Sequence, residues 1–392
     1  MIPTWKLSAI QVLGLAAMGV VIGTWLKRRV PLFDRLNIPV PILGGMVYAL
    51  AALLLHDRVA NIDADPVLRD LLMIAFMTTI GLGARVQLVR AGGARLVWFF
   101  AIASIGALLQ NVLGIGLARL LGVDLRLGIL TGSVALTGGP GTALAFGGTF
   151  EKMGVAGATT VAFASATFGV TVAGLLGGYI GGSIIRRKGL KSEAAPSAST
   201  AAKVETGAGS LLTTVIVLAI SMGAGSLVSA GFERAHVILP PYIGSMIVAA
   251  IIRNLDDRFR FARISQAEVD RVARVALFLF IVMALVSLKL WELAHLAVPM
   301  IVMLAVQVAL CWIMCVTLVF WSMGRKYEAA VTAAGFCGFM LGITANAVAC
   351  MEELVEKYGP APQSFLIVPI VGAFLIDFTN SLIITAMANW LR

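Results

Sequence analysis

Long apolar runs separated by short polar segments set the pattern of this chain. Ten of these runs approach or exceed the roughly 20 residues that a helix needs to cross a bilayer. They lie near residues 7–26, 39–55, 71–89, 96–121, 158–185, 210–230, 238–252, 272–288, 293–321 and 364–391. We therefore predict an all-α integral membrane protein with ten transmembrane helices, of which the short run 238–252 extends into its flanks.

Two further apolar stretches, near 127–150 and 328–350, are too rich in glycine and polar residues for an uninterrupted membrane helix. The first contains Gly138-Gly139-Pro140-Gly141, where a proline between glycines breaks a helix. Glycines can instead serve close helix packing, which suits the run 174–182 better. Irregular backbone at membrane depth survives only where it is buried in protein or lines a watery cavity. We predict that both stretches are re-entrant hairpins that form a binding site.

The order of sequence landmarks repeats along the chain. The segment 38–46 (IPVPILGGM) returns in altered form as 238–246 (ILPPYIGSM). This repetition predicts two repeats, 1–185 and 210–392, each with five transmembrane helices and one hairpin. Between them, 186–209 is polar and of low complexity, which predicts a flexible cytoplasmic linker.

The placement of the basic residues predicts the orientation. The chain is 59% hydrophobic with a net charge of +10, and its basic residues lie between apolar runs, which excludes a nucleic-acid partner as their explanation. If both hairpins dip into the membrane and return, and the N-terminus is outside, 21 of the 30 lysines and arginines are cytoplasmic. If both stretches crossed the membrane instead, the six arginines of 253–274 would lie on the opposite side of the membrane from the basic cluster 27–29. The positive-inside rule therefore favours hairpins that return to the side from which they enter. Five crossings per repeat then invert the second half, so the hairpins enter from opposite faces.

The candidate binding residues of the hairpins are glycines, which free backbone amides and carbonyls, and polar side chains beside them. They are Thr137, Gly138, Gly139, Gly141, Thr142, Gly338, Gly342, Thr344 and Asn346. Half-helix N-termini aimed at the membrane centre suit a carboxylate, and unwound carbonyls suit Na+.

Asp377 is the one acid well inside a predicted span, and a charge there requires a partner. Na+, a substrate ammonium or a proton would serve, because no predicted span holds a lysine or arginine deep inside it. Asn380 lies one helical turn on and faces the same way. Ser165 and Thr167 occupy the corresponding part of the fifth helix. We predict Asp377, Asn380 and Thr344 as Na+ ligands.

Other polar residues leave two interpretations open. Gln110, Asn111 and Gln307 either line the site or hydrogen-bond one helix to another. Cys311 and Cys315 are an i, i+4 pair whose spacing favours core packing over metal binding. A Walker motif is missing from the sequence, which argues against ATP-driven transport by this chain alone.

Five segments together resemble the bacterial sodium/glutamate symporter family. They are Leu68-Arg69-Asp70 running into Ile80-Gly81-Leu82, Leu88 to Gly93, Thr137 to Thr142, Leu288 to Leu293, and Val368 to Phe374 with Ile376-Asp377. The resemblance covers nearly the whole chain. It implies Na+-coupled uptake of L-glutamate by a homodimer in the bacterial inner membrane, without a cofactor. It also implies inverted five-helix repeats and a moving domain that carries the hairpins and slides against a dimerising scaffold.

Several hairpin residues depart from the family pattern. Pro140 stands where histidine is common, Phe336 replaces a histidine, Met340 replaces a glycine, and Ala345 lies where proline is expected. These departures bear on the substrate more than on the fold. The alternatives are therefore a carrier of the same fold for aspartate or a dicarboxylate, with possible proton coupling. A channel would need a continuous polar stripe along several helices, and an enzyme would need an acid/base or nucleophile constellation beside Asp377; the sequence favours neither.

Overall fold

The computed structural model describes residues 3–35, 38–192, 210–234, 241–293 and 296–391. The long elements are helical, as predicted. The all-α expectation omits one small feature, a parallel pair formed by strands β1 (Thr4–Leu7) and β2 (Asn61–Ala64), with Thr4 opposite Asn61. The predicted linker 186–209 falls largely outside the described residues.

The described part of the first half of the chain forms eight α-helices. They are α1 (Ala9–Arg29), α2 (Pro31–Arg35), α3 (Val40–Leu55), α4 (Val67–Gly83), α5 (Val86–Leu120), α6 (Leu125–Ile129), α7 (Gly139–Lys152) and α8 (Ala158–Lys188). A π-helical turn, Leu130–Val134, follows α6.

The described part of the second half continues the numbering. Its helices are α9 (Leu211–Arg234), α10 (Pro241–Phe259), α11 (Gln266–Val286), α12 (Ala297–Met314), α13 (Phe320–Ser322), α14 (Tyr327–Met340), α15 (Thr344–Tyr358), α16 (Pro362–Ile370) and α17 (Ile376–Trp390). π-Helical turns lie between α12 and α13, over Cys315–Val319, and between α16 and α17, over Val371–Leu375. A 3-10 turn covers Leu290–Leu293.

Among the described residues, six helices are long and apolar enough to cross a membrane. They cover Ala9–Arg29, Gly93–Leu120, Ala158–Lys188, Leu211–Phe232, Ala297–Ser322 and Pro362–Trp390. Each coincides with a predicted run, and Val40–Leu55 is a shorter apolar helix. The protein is therefore an all-α membrane protein.

The predicted third helix, 71–89, is too long at its end. α4 ends at Gly83 and α5 begins at Val86, because Arg85 turns to form two hydrogen bonds with Asp257 of α10, at 2.8 and 3.0 Å. An arginine at the end of a membrane helix commonly extends its charge to the membrane surface, but Arg85 does not. Its side chain is only 12% exposed and that of Asp257 is 8% exposed, so the pair is buried within the protein.

The helices pack as two groups that meet along one boundary. The first, which we call the six-helix body, consists of α1, α3 and α4 with α9, α10 and α11. The second, which we call the hairpin body, consists of α5 to α8 and α12 to α17. Each half of the sequence thus contributes three helices to the six-helix body, and the remaining helices of both halves intermingle.

Glycines allow the closest helix approaches in the six-helix body. A Cβ on Gly44 of α3 would overlap the carbonyl group of Gly19 in α1, and a Cβ on Gly244 of α10 would overlap that of Gly225 in α9. Gly44 and Gly244 are equivalent positions of the repeated segments 38–46 and 238–246. The same small-residue contact therefore occurs once in each half.

Helix α5 is continuous by its hydrogen bonds but bent at one residue. Gly93 has φ 63° and ψ −162°, a conformation that is essentially restricted to glycine. The residues before the bend lie against α10, where the backbone N–H of Val86 donates to Asn254 Oδ1 at 2.8 Å. The long arm after the bend belongs to the hairpin body.

Candidate functional site

The first glycine-rich stretch forms the hairpin 125–152, which we call hairpin 1. Its arms are α6 with the following π-helical turn, and α7, joined by the non-helical segment 135–138. Gly139 starts α7 with φ 66°, a conformation that favours glycine, and Pro140 occupies the first turn, where its missing N–H costs nothing. The glycine–proline pattern therefore fixes the point where the chain reverses.

Hairpin 1 begins outside the predicted transmembrane spans, where Asp124 and Arg126 fix the start of α6. The carboxylate of Asp124 caps α6 by accepting the backbone N–H of Arg126 at 2.9 Å. The Arg126 guanidinium also donates to this carboxylate, and this hydrogen bond lowers the pKa of Asp124. Asp124 therefore remains charged at neutral pH, where a negative group at a helix N-terminus is stabilising.

The second stretch forms the hairpin 327–358, which we call hairpin 2. Its arms, α14 and α15, run side by side and are joined by residues 341–343. A Cβ on Gly338 of α14 would lie 2.5 Å from the backbone nitrogen of Ala347 in α15. Only glycine permits the arms to approach this closely.

The tips of the two hairpins meet. A Cβ on Gly139 would lie 2.9 Å from Ile343 Cγ2 and 3.5 Å from the carbonyl oxygen of Gly342. In addition, Thr137 Oγ1 lies 3.6 Å from Met340 Sδ. The two glycine-rich stretches are therefore in contact at their tips.

Two helix N-termini lie at this meeting point. α7 starts at Gly139 and α15 starts at Thr344, and neither has a side-chain hydrogen bond at its N-cap. The first N–H groups of a helix lack intrahelical partners and carry partial positive charge. The arrangement can therefore receive an anionic group such as a carboxylate.

Gln110 of α5 connects both hairpins. Its Nε2 donates to the carbonyl of Met340 at 2.9 Å, and its Oε1 accepts from the hydroxyl of Thr137 at 2.6 Å. Gln307 of α12 donates to the backbone carbonyl of Gln110 at 2.6 Å. All four residues are buried. The sequence left open whether these glutamines line the site or hydrogen-bond one helix to another. The described hydrogen bonds show that Gln110 and Gln307 connect helices.

Asparagines hold the hairpins to the helices beside them. In hairpin 1, the backbone N–H of Ser133 donates to Asn111 Oδ1 at 3.0 Å, and Asn380 Nδ2 donates to the Ser133 carbonyl at 2.9 Å. In hairpin 2, Asn346 Nδ2 donates to the carbonyl of Val170 in α8 at 2.7 Å. The three asparagines are fully buried. Two of them, Asn346 and Asn380, are predicted site residues.

Asp377 lies just after the π-helical turn Val371–Leu375, at the start of α17, with Asn380 three residues on. It is half-buried, and its backbone carbonyl accepts from the hydroxyl of Ser381 at 2.9 Å. Within the described residues, its carboxylate has neither a hydrogen bond nor an ion pair. π-Helical turns are frequent at functional sites. A carboxylate within a membrane-spanning segment requires a partner, such as a cation or a proton.

Several buried polar atoms around the hairpins lack hydrogen bonds within the described residues. The oxygens are Ser133 Oγ, Ser165 Oγ, Gln307 Oε1, Asn346 Oδ1 and Asn380 Oδ1, and one nitrogen, Asn111 Nδ2, joins them. Buried polar groups are normally satisfied, so each of these atoms calls for an explanation. Hard cations prefer oxygen ligands, and the set is dominated by oxygens.

The remaining predicted residues divide between the site and its surroundings. Gly138 and Thr142 touch each other within hairpin 1, since a Cβ on Gly138 would lie 2.6 Å from Thr142 Cβ. Gly141 faces the six-helix body, where a Cβ would lie 2.8 Å from Phe76 Cε1 and 2.9 Å from Leu277 Cδ1.

Two predicted hydroxyl residues are only partly buried. Thr344 is half-buried at the first position of α15. Thr167 is also half-buried, and its hydroxyl donates to the carbonyl of Phe163 in its own helix at 2.9 Å. Thr167 is therefore already paired within its own helix.

Some features of this region were not predicted. Ser133 has an unpaired buried hydroxyl and two backbone contacts, and the only signal in the sequence was its position after Gly132. Cys337 of α14 joins Cys311 and Cys315, with all three sulfurs within 4.8 Å of one another. All three thiols are buried.

Known proteins resemble this chain along nearly its full length. A profile of the sodium/glutamate symporter family matches residues 5–360. The sodium/glutamate symporter of Escherichia coli (strain K12) is 38% identical over 390 residues, which cover 97% of both chains. That of Haemophilus influenzae is 34% identical over 392 residues, which cover 96% of both. A sodium proton antiporter structure from Methanocaldococcus jannaschii aligns over 97% of this chain and 98% of its own, with a TM-score of 0.45 at 13% identity, too low to bear on the fold.

Proposed function

This chain belongs to the sodium/glutamate symporter family, and from that premise we propose that it takes up L-glutamate together with Na+. The resemblance inferred from its motifs is confirmed. The protein is a multi-pass protein of the bacterial inner membrane, and it is a transporter rather than an enzyme. Na+ is the coupling ion, and membership of the family indicates no cofactor.

One observation supports the site assignment above the others: the hairpin tips meet where two uncapped helix N-termini lie. We assign the substrate carboxylates to these N-termini. Na+ is assigned to the oxygens beside them, with Asp377 supplying negative charge and the unpaired oxygens of Asn380 and Ser133 supplying further ligands. Asn380 and Ser133 are in direct contact, so their free oxygens lie in one neighbourhood.

The proposed mechanism moves the hairpin body, with its site, along the six-helix body. The boundary supports this because Gly141 meets Phe76 and Leu277 of the six-helix body through side chains rather than interlocked backbone. Ten membrane crossings in two inverted repeats are proposed as well. The equivalent glycine contacts of Gly44 and Gly244 support the duplication. A homodimer assembled through the six-helix body remains part of the proposal.

The decisive test is uptake into proteoliposomes with and without a Na+ gradient. We expect Na+-dependent L-glutamate uptake that excess unlabelled L-glutamate abolishes. Uptake that is indifferent to Na+ and driven by a proton gradient would reject the coupling ion. Stronger competition by a dicarboxylate or by aspartate than by glutamate would reject the substrate.

Asp377→Asn tests the assigned ion site in the same assay. The exchange retains the size of the side chain but removes the charge, so we expect Na+-driven uptake to be lost while the protein remains folded in the membrane. Asp124→Asn, at the far end of hairpin 1, is the matched control and should retain uptake. Normal Na+ dependence of Asp377→Asn would reject this site.

A further inference from the structure

A polar cleft of about 460 Å³ lies at the end of α10 and the start of α11, and its lining residues come from outside both hairpins. Its lining includes four arginines, namely Arg85, Arg253, Arg260 and Arg263. Two aspartates, Asp256 and Asp257, are the acidic residues in the same lining. The cleft is therefore positively charged before any partner binds.

Both aspartates are already engaged by the protein. Asp257 accepts two hydrogen bonds from Arg85, at 2.8 and 3.0 Å. Asp256 accepts the backbone N–H groups of Ala262, Arg263 and Ile264, at 2.7, 3.0 and 2.8 Å. Asp256 thereby fixes the loop rather than neutralising the remaining arginines.

Arg253 is buried in the cleft wall, with 2% of its side chain exposed. Its Nε lies 3.3 Å from Asp257 Oδ1 but has no hydrogen bond there, and its Nη1 has no partner among the described residues. A buried guanidinium with unused donors is costly unless an acceptor is supplied. Asp270 of α11 accepts a hydrogen bond from Gln266 Nε2 at 2.9 Å.

The loop presents two more arginines in unusual backbone conformations. Arg260 and Arg263 have φ of 56° and 50°, which non-glycine residues rarely adopt. Both side chains are exposed, and neither guanidinium group has a hydrogen bond or ion pair within the described part of the chain. Backbone strain of this kind persists only where the surroundings impose it. Here the three hydrogen bonds from backbone N–H groups to the Asp256 carboxylate hold the loop in this conformation.

Apolar side chains are exposed beside these charges. Phe259 and Phe261, on either side of Arg260, are 70% and 62% exposed. Ile251 and Leu255 on the adjoining turns of α10 are 55% and 45% exposed. Alternation of basic and aromatic residues is typical of a segment at the membrane interface, where the rings enter the acyl region.

We propose that this cleft binds the phosphate of an anionic phospholipid. Guanidinium groups match phosphate oxygens with paired hydrogen bonds, and basic pockets between membrane helices hold anionic headgroups. Arg253, Arg260 and Arg263 supply the donors, and the exposed phenylalanines lie beside the acyl chains. A free phosphate ion has the same chemistry but makes no use of the exposed rings.

The test uses the purified full-length protein in an uncharged detergent. Phosphatidylglycerol, phosphatidylcholine and inorganic phosphate are added separately, and lipid retention is measured by native mass spectrometry together with the melting temperature. We expect retention of phosphatidylglycerol over phosphatidylcholine. Arg260→Gln with Arg263→Gln should weaken that retention about thirtyfold, since a basic residue at the surface contributes about fivefold.

Two further variants complete the test. Arg253→Gln should also lose the lipid-induced rise in melting temperature, and the pair Arg58→Gln with Arg119→Gln, which removes two exposed charges elsewhere, should retain it. Equal losses in both pairs would show a net-charge effect and overturn the proposal. Unchanged lipid retention after the Arg260 and Arg263 exchanges would overturn it too. Stabilisation by inorganic phosphate without preference for phosphatidylglycerol would overturn the lipid assignment.

Discussion

Hairpin 1 and hairpin 2 meet at their tips but lie in different surroundings. Hairpin 1 faces the boundary between the bodies, because its Gly141 lies against Phe76 and Leu277 of the six-helix body. Hairpin 2 lies inside the hairpin body, where its Gly342 lies against Val170 and Ala173 of α8. Its first arm is buried along its whole length except at Glu328. Hairpin 1 thus contacts the six-helix body, whereas hairpin 2 packs within its own body.

The two hairpins also depend on the opposite halves of the chain. Hairpin 1, from the first half, is bonded by Asn380 of α17. Hairpin 2, from the second half, is bonded by Gln110 of α5 and itself bonds Val170 of α8. Neither half can complete the site alone, so the comparison is best tested by paired substitutions.

The largest effect is expected from adding a methyl group where the two arms of hairpin 2 are in close contact. Gly338→Ala places a Cβ against the backbone of Ala347, which cannot move without separating the arms. We expect a loss of about 1–3 kcal/mol or more in stability, with loss of uptake. Thermal denaturation and uptake measure the two effects. Gly148→Ala, at a glycine with open space around it, is the matched control. Equal melting temperatures of the two variants would contradict this result.

The corresponding change in hairpin 1 should separate stability from transport. Gly141→Ala meets the side chains of Phe76 and Leu277, which can shift. We expect a melting temperature near that of the unmodified protein and a reduced uptake rate, because the added methyl group lies at the boundary along which the hairpin body moves in the proposed mechanism. If Gly141→Ala were as unstable as Gly338→Ala, the two hairpins would not differ in the way proposed.

A change that affects both hairpins is Gln110→Leu. It leaves the Met340 carbonyl and the Thr137 hydroxyl without their described partner. An unsatisfied buried polar group costs about 1–3 kcal/mol. Thr137→Val removes only one of the two bonds and should cost less. A double-mutant cycle compares the stability losses of Gln110→Leu, Thr137→Val and the double variant, measured by thermal denaturation. If the two single losses add up to that of the double variant, Gln110 and Thr137 do not interact.

Asn380→Ala and Asn346→Ala compare the two asparagine contacts directly. Both remove a buried hydrogen bond to a carbonyl of the opposite half, so we expect similar destabilisation of about 1–3 kcal/mol. Only Asn380 lies beside Asp377, and only its exchange should raise the half-saturating Na+ concentration strongly. The Na+ dependence of initial uptake rates measures this difference. A larger shift in Asn346→Ala would place the ion at hairpin 2 instead.

The smallest effect is expected at Thr167. Its hydroxyl is bonded to Phe163 within the same helix, so Thr167→Val removes no contact between helices. We expect a change in stability within about 0.5 kcal/mol and nearly normal uptake. Ser165→Ala is the informative partner, because the buried Ser165 hydroxyl has no described bond. Loss of Na+ dependence in Thr167→Val would return that residue to the site.

The sequence predicted where the two hairpins lie better than how they are held together. Gly139-Pro140 and Gly338 mark the hairpins because their backbone requirements are local. The partner of Ser133 could not be predicted, because Asn380 lies 247 residues away and contacts a backbone carbonyl, which leaves no sequence signal. The same holds for Arg85. The sequence around an arginine at a helix end does not distinguish one that reaches the membrane surface from one that pairs with a distant aspartate such as Asp257.

The bend at Gly93 gives α5 the geometry of a lever. The residues before it are fastened to the six-helix body through Val86 and Asn254, and the arm beyond it carries Gln110 to the hairpin tips. Seventeen residues of helix separate Gly93 from Gln110, about 26 Å at 1.5 Å per residue. A rotation of about 10° at this one glycine would carry Gln110 through roughly 4–5 Å. A single pair of backbone torsions can therefore convert a small angular change into the ångström-scale travel of a binding site.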